Sequence, residues 1–177
     1  MQTDRYSRWI DASVAAGAVE PFMMPIVQGL GRLDCRLIPE DARFSQLPEQ
    51  ARSSVHEGTL LTDRFTLSYL WVLGAYELVR TLDQRCRTNP ATTMPESFQS
   101  RLAALKRGME RLRIPLAKME PARRFPSDSA IAYPALSRDL GIAWQVAQDT
   151  YITRRELSDS LLDFLTDLKA QHAATNT

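Results

Sequence analysis

Apolar positions recur every three to four residues along most of the chain, and in one place they run together. Between Leu67 and Tyr76 only Ser68 is plainly polar. A helix apolar on every side belongs at the centre of a bundle rather than on its surface. Good helix formers continue through Glu77, Leu78, Arg80, Leu82 and Gln84 without a proline. A long central helix is therefore predicted over about 59–87. Pro48 suits a first helical position and allows a start near Glu49, with Gly58 as the weak point.

The flanking segments are shorter. Tyr6, Trp9, Ile10, Ser13 and Val14 share a helical face and predict a first helix over 3–18. Residues 21–33, PFMMPIVQGLGRL, are apolar without a clear period. Pro25 could start a short helix there that Gly29 or Gly31 ends. Core burial is favoured over an exposed partner surface for this segment. Residues 34–48, with Pro39 and Pro48, read as a loop. Pro90 and Pro95 bracket another loop, in which Thr93 and Glu96 fit a capping box. Phe98, Leu102, Leu105, Met109 and Leu112 then form an amphipathic stripe that Pro115 closes, and 121–129 reads as surface loop.

The period changes near residue 130. Ile131, Tyr133 and Ala135 alternate, as do Ile142, Trp144 and Val146, around the turn SRDLG. This predicts a β-hairpin over about 130–147, with Pro134 at an edge. Thr153 and Glu156 form a second capping box, and Leu157, Leu161, Phe164, Leu165 and Leu168 mark the inner face of a last helix. The expected architecture is mainly α: one helical domain spanning 1–177, a bundle of four to five helices around the central one, a β-hairpin before the last helix, and a frayed tail at 171–177.

Composition narrows the class. The 177 residues are 44% hydrophobic and 24% charged, which is ordinary for a globular chain. The net charge of +1 is uneven. Residues 1–79 hold 7 basic and 10 acidic side chains, residues 80–124 hold 11 and 4, and residues 125–177 hold 4 and 7. Arginine dominates, since only Lys106, Lys118 and Lys169 are lysines. Arginine suits phosphate and carboxylate recognition, although genome base composition gives the same bias. Cys35 and Cys86 are expected to be buried reduced thiols. Asp4 and Asp11 interrupt any signal-like apolar run, and the central stretch between Arg64 and Glu77 is too short to span a bilayer. A cytoplasmic protein without membrane contact is expected.

Candidate chemistry is sparse. His172 lies in the tail, and His56 before Gly58 is expected to be a surface or cap residue. No Cys or His pair has metal-ligand spacing and no glycine-rich phosphate loop exists, so no catalytic residue, metal or cofactor is assigned. Glu156, Asp159, Asp163 and Asp167 read as a solvated acidic face, partly offset by Arg155. On the central helix Tyr69, Tyr76, Arg80, Asp83 and Arg87 share one stripe, with Glu77 beside Arg80. Such charges must pair or reach water. A network tying helices together is favoured, and Tyr69, Tyr76, Glu77, Arg80 and Asp83 are the first candidates for a ligand or partner site. Arg101, Lys106, Arg107, Arg111 and Arg113, extended by Lys118, Arg123 and Arg124, form a basic face that could track a nucleic-acid backbone. Docking of the acidic last helix on that face is the competing expectation.

A helical core with Glu77 and Arg80 is similar to defence nucleases of the HEPN type, which carry an Arg and a His on one helix. Here only Ser53, Ser54 and Val55 separate Arg52 from His56, a shorter gap than that family uses, so the resemblance implies an inactive relative. The missing catalytic set, the apolar surplus at 21–33 and an exposed hairpin edge point first to a non-enzymatic interaction or regulatory protein acting as a homodimer. The alternatives are a nucleic-acid-associated protein and a small-ligand binder or enzyme around Tyr76, Glu77 and Arg80.

Overall fold

The computed structural model describes residues 2–89 and 94–175. It is mainly helical, with a small antiparallel sheet before the last helix. Helix α1 (Gln2–Val19) and helix α2 (Met23–Gln46) pack as an antiparallel pair. Neither glycine expected to end a helix at 29 or 31 does so. A Cβ at Gly31 would lie 2.4 Å from the Trp9 ring, so this glycine serves the close crossing of the two helices. The loop expected over 34–48 is helix as far as Gln46, and the helix passes through an exposed Pro39. The reason is tertiary. Met23, Val27, Leu30, Asp34, Leu37, Asp41 and Phe44 are all buried at alternating steps of four and three, one continuous inner face. Its burial outweighs the single backbone hydrogen bond that Pro39 forfeits.

A short helix α3 (Glu49–Arg52) precedes α4 (Val55–Thr88). The break falls at Ser53 and Ser54 rather than at Gly58, because the Ser54 hydroxyl accepts from the Glu57 amide at 3.3 Å and caps α4. Helix α4 touches α1, α2 and, later in the chain, helix α5 (Glu96–Lys118) and helix α6 (Arg154–Thr175), so it is central as expected. It is not buried on every side. Leu70 is 51% exposed and Leu67 and Leu73 are half-buried. The capping box expected at Thr93 lies outside the described residues. Helix α5 buries Leu102, Met109 and Leu112 as predicted, but it runs past Pro115 and ends at Met119, which takes the left-handed conformation with φ 56°.

Strands β1 (Tyr133–Ser137), β2 (Gly141–Ala147) and β3 (Thr150–Thr153) form the sheet in that order. Pro134 pairs with Trp144 on the edge strand, where its missing N–H costs least. β3 extends the expected hairpin and leads directly into α6. The alternation read in β1 does not point inward, since Ile131 and Tyr133 are half exposed. β2 supplies the core instead: Ile142, Trp144 and Val146 are buried on one face, Gly141 and Ala143 on the other. The second capping box forms as predicted, with Thr153 Oγ1 accepting from the Glu156 amide at 3.0 Å while the Glu156 carboxylate accepts from the Thr153 amide at 3.0 Å. α6 buries Leu157, Leu161, Phe164, Leu165 and Leu168 and continues to Thr175, into the stretch expected to fray. One cluster of buried side chains joins α1, α2, α4, α5, α6 and the sheet. No described helix is long and apolar enough to cross a membrane.

Candidate functional site

The stripe on α4 and the basic face of α5 meet. Lys106 Nζ lies 2.8 Å from Asp83, which also receives Arg87 at 2.8 Å. Arg113 sits 3.6 Å from Glu77 and stacks its guanidinium 5.1 Å from the Tyr76 ring centroid. Glu77 in turn accepts from Arg80 at 2.7 Å. Tyr69 is half-buried against the core. Tyr76, Glu77 and Asp83 therefore face Lys106 and Arg113 across a helix–helix seam, while Arg80 is exposed and pairs with Glu77 on its own helix.

The other basic residues are distributed elsewhere. Arg101 pairs with Asp167 of α6 at 2.7 Å and lies over the Phe98 and Phe164 rings. Arg111 donates twice to Asp128, at 2.6 and 2.9 Å, and stacks over Phe125. Arg107 is exposed and makes no ion pair among the described residues. The acidic side of α6 is also engaged rather than merely solvated. Asp159 meets Arg5 and Arg155, Asp163 meets Arg8, and Asp167 meets Arg101.

The most deeply buried polar cluster was not singled out from the sequence. Asp34, fully buried on α2, accepts from Arg5 Nε at 2.7 Å, from Trp9 Nε1 at 3.1 Å and from Arg154 of α6. Arg154 also reaches Asp41 at 3.4 Å. Burial pushes the Asp34 carboxyl up, but Arg154 and Arg5 outweigh it and hold it below the usual carboxylate range. At Asp41 burial wins over Arg154 and the Ile142 amide, so its pKa is raised. The available signal was the four-and-three spacing of the α2 face, which continues only if Asp34 and Asp41 count as core positions. Charged residues at such positions look like the end of a helix face until their partners are known.

An apolar margin runs along α2 and α4. Trp71 Nε1 donates to the Leu30 carbonyl at 3.0 Å, and a Cβ added at Gly74 would lie 3.3 Å from the Leu30 side chain. That register sets Phe22, Ile26, Gly29 and Leu33 along the α4 side of α2, and Leu70 along the α2 side of α4. Phe22 is 81% exposed, Ile26 48% and Leu70 51%. The segment 21–33 is thus divided: Met23, Val27 and Leu30 enter the core, while Phe22 and Ile26 face out.

No group of metal-binding side chains occurs among the described residues. Cys35 and Cys86 are buried thiols outside any disulfide, and burial, helped by Asp83, pushes Cys86 up to about 11. The class that these features define is a helical bundle with a three-stranded antiparallel sheet set before its last helix. No protein-family model matches the chain, and neither a curated protein nor a solved structure is significantly similar to it.

Proposed function

We propose that the protein is a non-enzymatic interaction protein that works as a homodimer through the α2–α4 face. The observation that carries this reading is the exposure of Phe22 and Ile26 on α2 and of Leu70 on α4, two helices that pack on each other. Large apolar side chains left exposed on neighbouring helices are candidates for an interaction site. A two-fold axis across it would set each α2–α4 pair against its copy and bury both patches together. The half-exposed Tyr133 and Leu136 flank edge strand β1 on its two faces, but Pro134 removes a donor that strand pairing would use.

The nucleic-acid alternative draws less support. Arg101, Lys106, Arg111 and Arg113 direct their charge to Asp167, Asp83, Asp128 and Glu77. Light scattering at micromolar concentration tests the proposal. Twice the chain mass is expected for the native protein and a single chain mass for Ile26→Asp combined with Leu70→Asp. A native protein that stays monomeric overturns it.

A further inference from the structure

Two tyrosines stand exposed on one face of the sheet. Tyr133 of β1 and Tyr151 of β3 both pair with Gln145 of β2, so the three form one row across the strands and project to the same side. Tyr133 is 53% exposed and Tyr151 55%. Neither ring contacts another ring or a cation among the described residues, and neither hydroxyl has a hydrogen-bond partner there. In the next row, Ala143 and Thr153 are buried, so the free part of this face begins at the tyrosines.

Side chains stand roughly perpendicular to a sheet, and two strand spacings, about 9.5 Å, separate the tyrosines. Two rings clasp a third flat ring at about 7 Å, so this gap is too wide for a base. A cation needs only to lie within about 6 Å of each ring centroid, and the gap allows that on both sides at once. Gln145 forms the floor. Its Nε2 donates to the Gln148 carbonyl at 2.7 Å, which draws the Gln148–Asp149 turn towards the tyrosine face. Asp149, two residues before Tyr151, is exposed and makes no ion pair among the described residues. Arg138 is the only cation of the strands and their turns, and it lies at the opposite turn beside Asp139. The charge at the tyrosine end is therefore negative, which disfavours a phosphate backbone and favours a cation. We propose that Tyr133, Gln145 and Tyr151 form a site for the methylated ammonium group of a small ligand, held between the two rings, with Asp149 as its counter-charge. The site shares no residue with the α2–α4 face and stands apart from the dimer reading.

The test is a titration with choline chloride at constant ionic strength, followed through the ring resonances of Tyr133 and Tyr151. A saturable shift with a millimolar midpoint is expected. The uncharged alcohol in which carbon replaces the choline nitrogen has the same shape and should bind at least about ten-fold more weakly. Tyr133→Leu and Tyr151→Leu should each weaken choline binding about five-fold, whereas Tyr133→Phe and Tyr151→Phe keep the ring and should retain it. Asp149→Asn should weaken it about two-fold. No saturable shift, equal affinity for the uncharged alcohol, or unchanged affinity in both leucine variants overturns the proposal. The comparison of choline with the alcohol uses the native protein, so it decides the matter even if a leucine variant does not fold.

Discussion

Arg154, the first residue of α6, closes on Asp34 of α2, 120 positions earlier in the chain, and both side chains are buried. Asp34 also holds Arg5 and Trp9 of α1. One carboxylate thus joins the first, second and last helices, and Arg154 extends the link to Asp41 beneath the sheet.

Asp34→Ala should leave the buried Arg154 with only its 3.4 Å contact to Asp41. A loss of about 3–5 kcal/mol in unfolding free energy is expected, measured by urea denaturation. Arg155→Ala, at the neighbouring but partly exposed position, should cost less than about 1 kcal/mol.

The two aspartates give opposite pH dependences. The folded pKa of Asp34 lies below the ordinary value of about 3.9, so its contribution is present above that value and lost as pH falls through the folded pKa. The folded pKa of Asp41 is raised, so stability is gained as pH falls from that raised value towards about 3.9. Denaturation midpoints between neutral and strongly acid pH check both signs. The native protein should gain on Asp41→Asn as pH approaches about 4, and lose ground to Asp34→Asn below it.

Gly141 has φ +76°, and a Cβ there would lie 2.3 Å from Asp41 Oδ2. Gly141→Ala should cost about 2–4 kcal/mol through backbone strain and overpacking. Gly58→Ala, inside α4 with nothing within 4 Å, should instead stabilise by about 1 kcal/mol. Thermal unfolding of the two variants should move in opposite directions.

On α5, Arg111→Glu breaks both bonds to the buried Asp128 and should cost about 1.5–3 kcal/mol. Arg107→Glu changes an exposed side chain and should stay within about 0.5 kcal/mol of the native protein. Arg107 therefore tests nucleic-acid binding more cleanly than Arg111, in a salt-dependent anisotropy titration. Equal stabilities of the two variants would contradict the pairing at Asp128.

Native Cys86 should resist alkylation at neutral pH, because its thiol is buried and titrates only at about 11. Cys35 should behave alike, with burial and Asp34 both raising its pKa. Reaction of both on adding urea, followed by mass spectrometry, is the expected result.

What the sequence determined was local and periodic. The inner faces of α5 and α6, the Thr153–Glu156 cap and the edge position of Pro134 all follow from side chains within one or two helical turns or one hairpin. On α1, by contrast, Trp9 and Ser13 are buried as read, but Ile10 and Val14 are exposed and Ala12, Ala15 and Ala16 take the inner face. The pairing of the α4 stripe was also legible in kind, because charges at the end of a buried helix need partners. Which residues would supply them was not. Tertiary structure decided where the strongest local signals are overruled. Gly31 reads as a helix stop until Trp9 packs on it, and Pro39 reads as a break until the inner face of α2 is covered. Asp34 and Asp41 fall in the stretch read as a loop, and become core positions only when Arg5 and Arg154 arrive from opposite ends of the chain. A propensity acts on one residue at a magnitude of about 1 kcal/mol for glycine. Burying a helix face adds about 1.5–3 kcal/mol for each large side chain, and that sum exists only once the partner surfaces are in place.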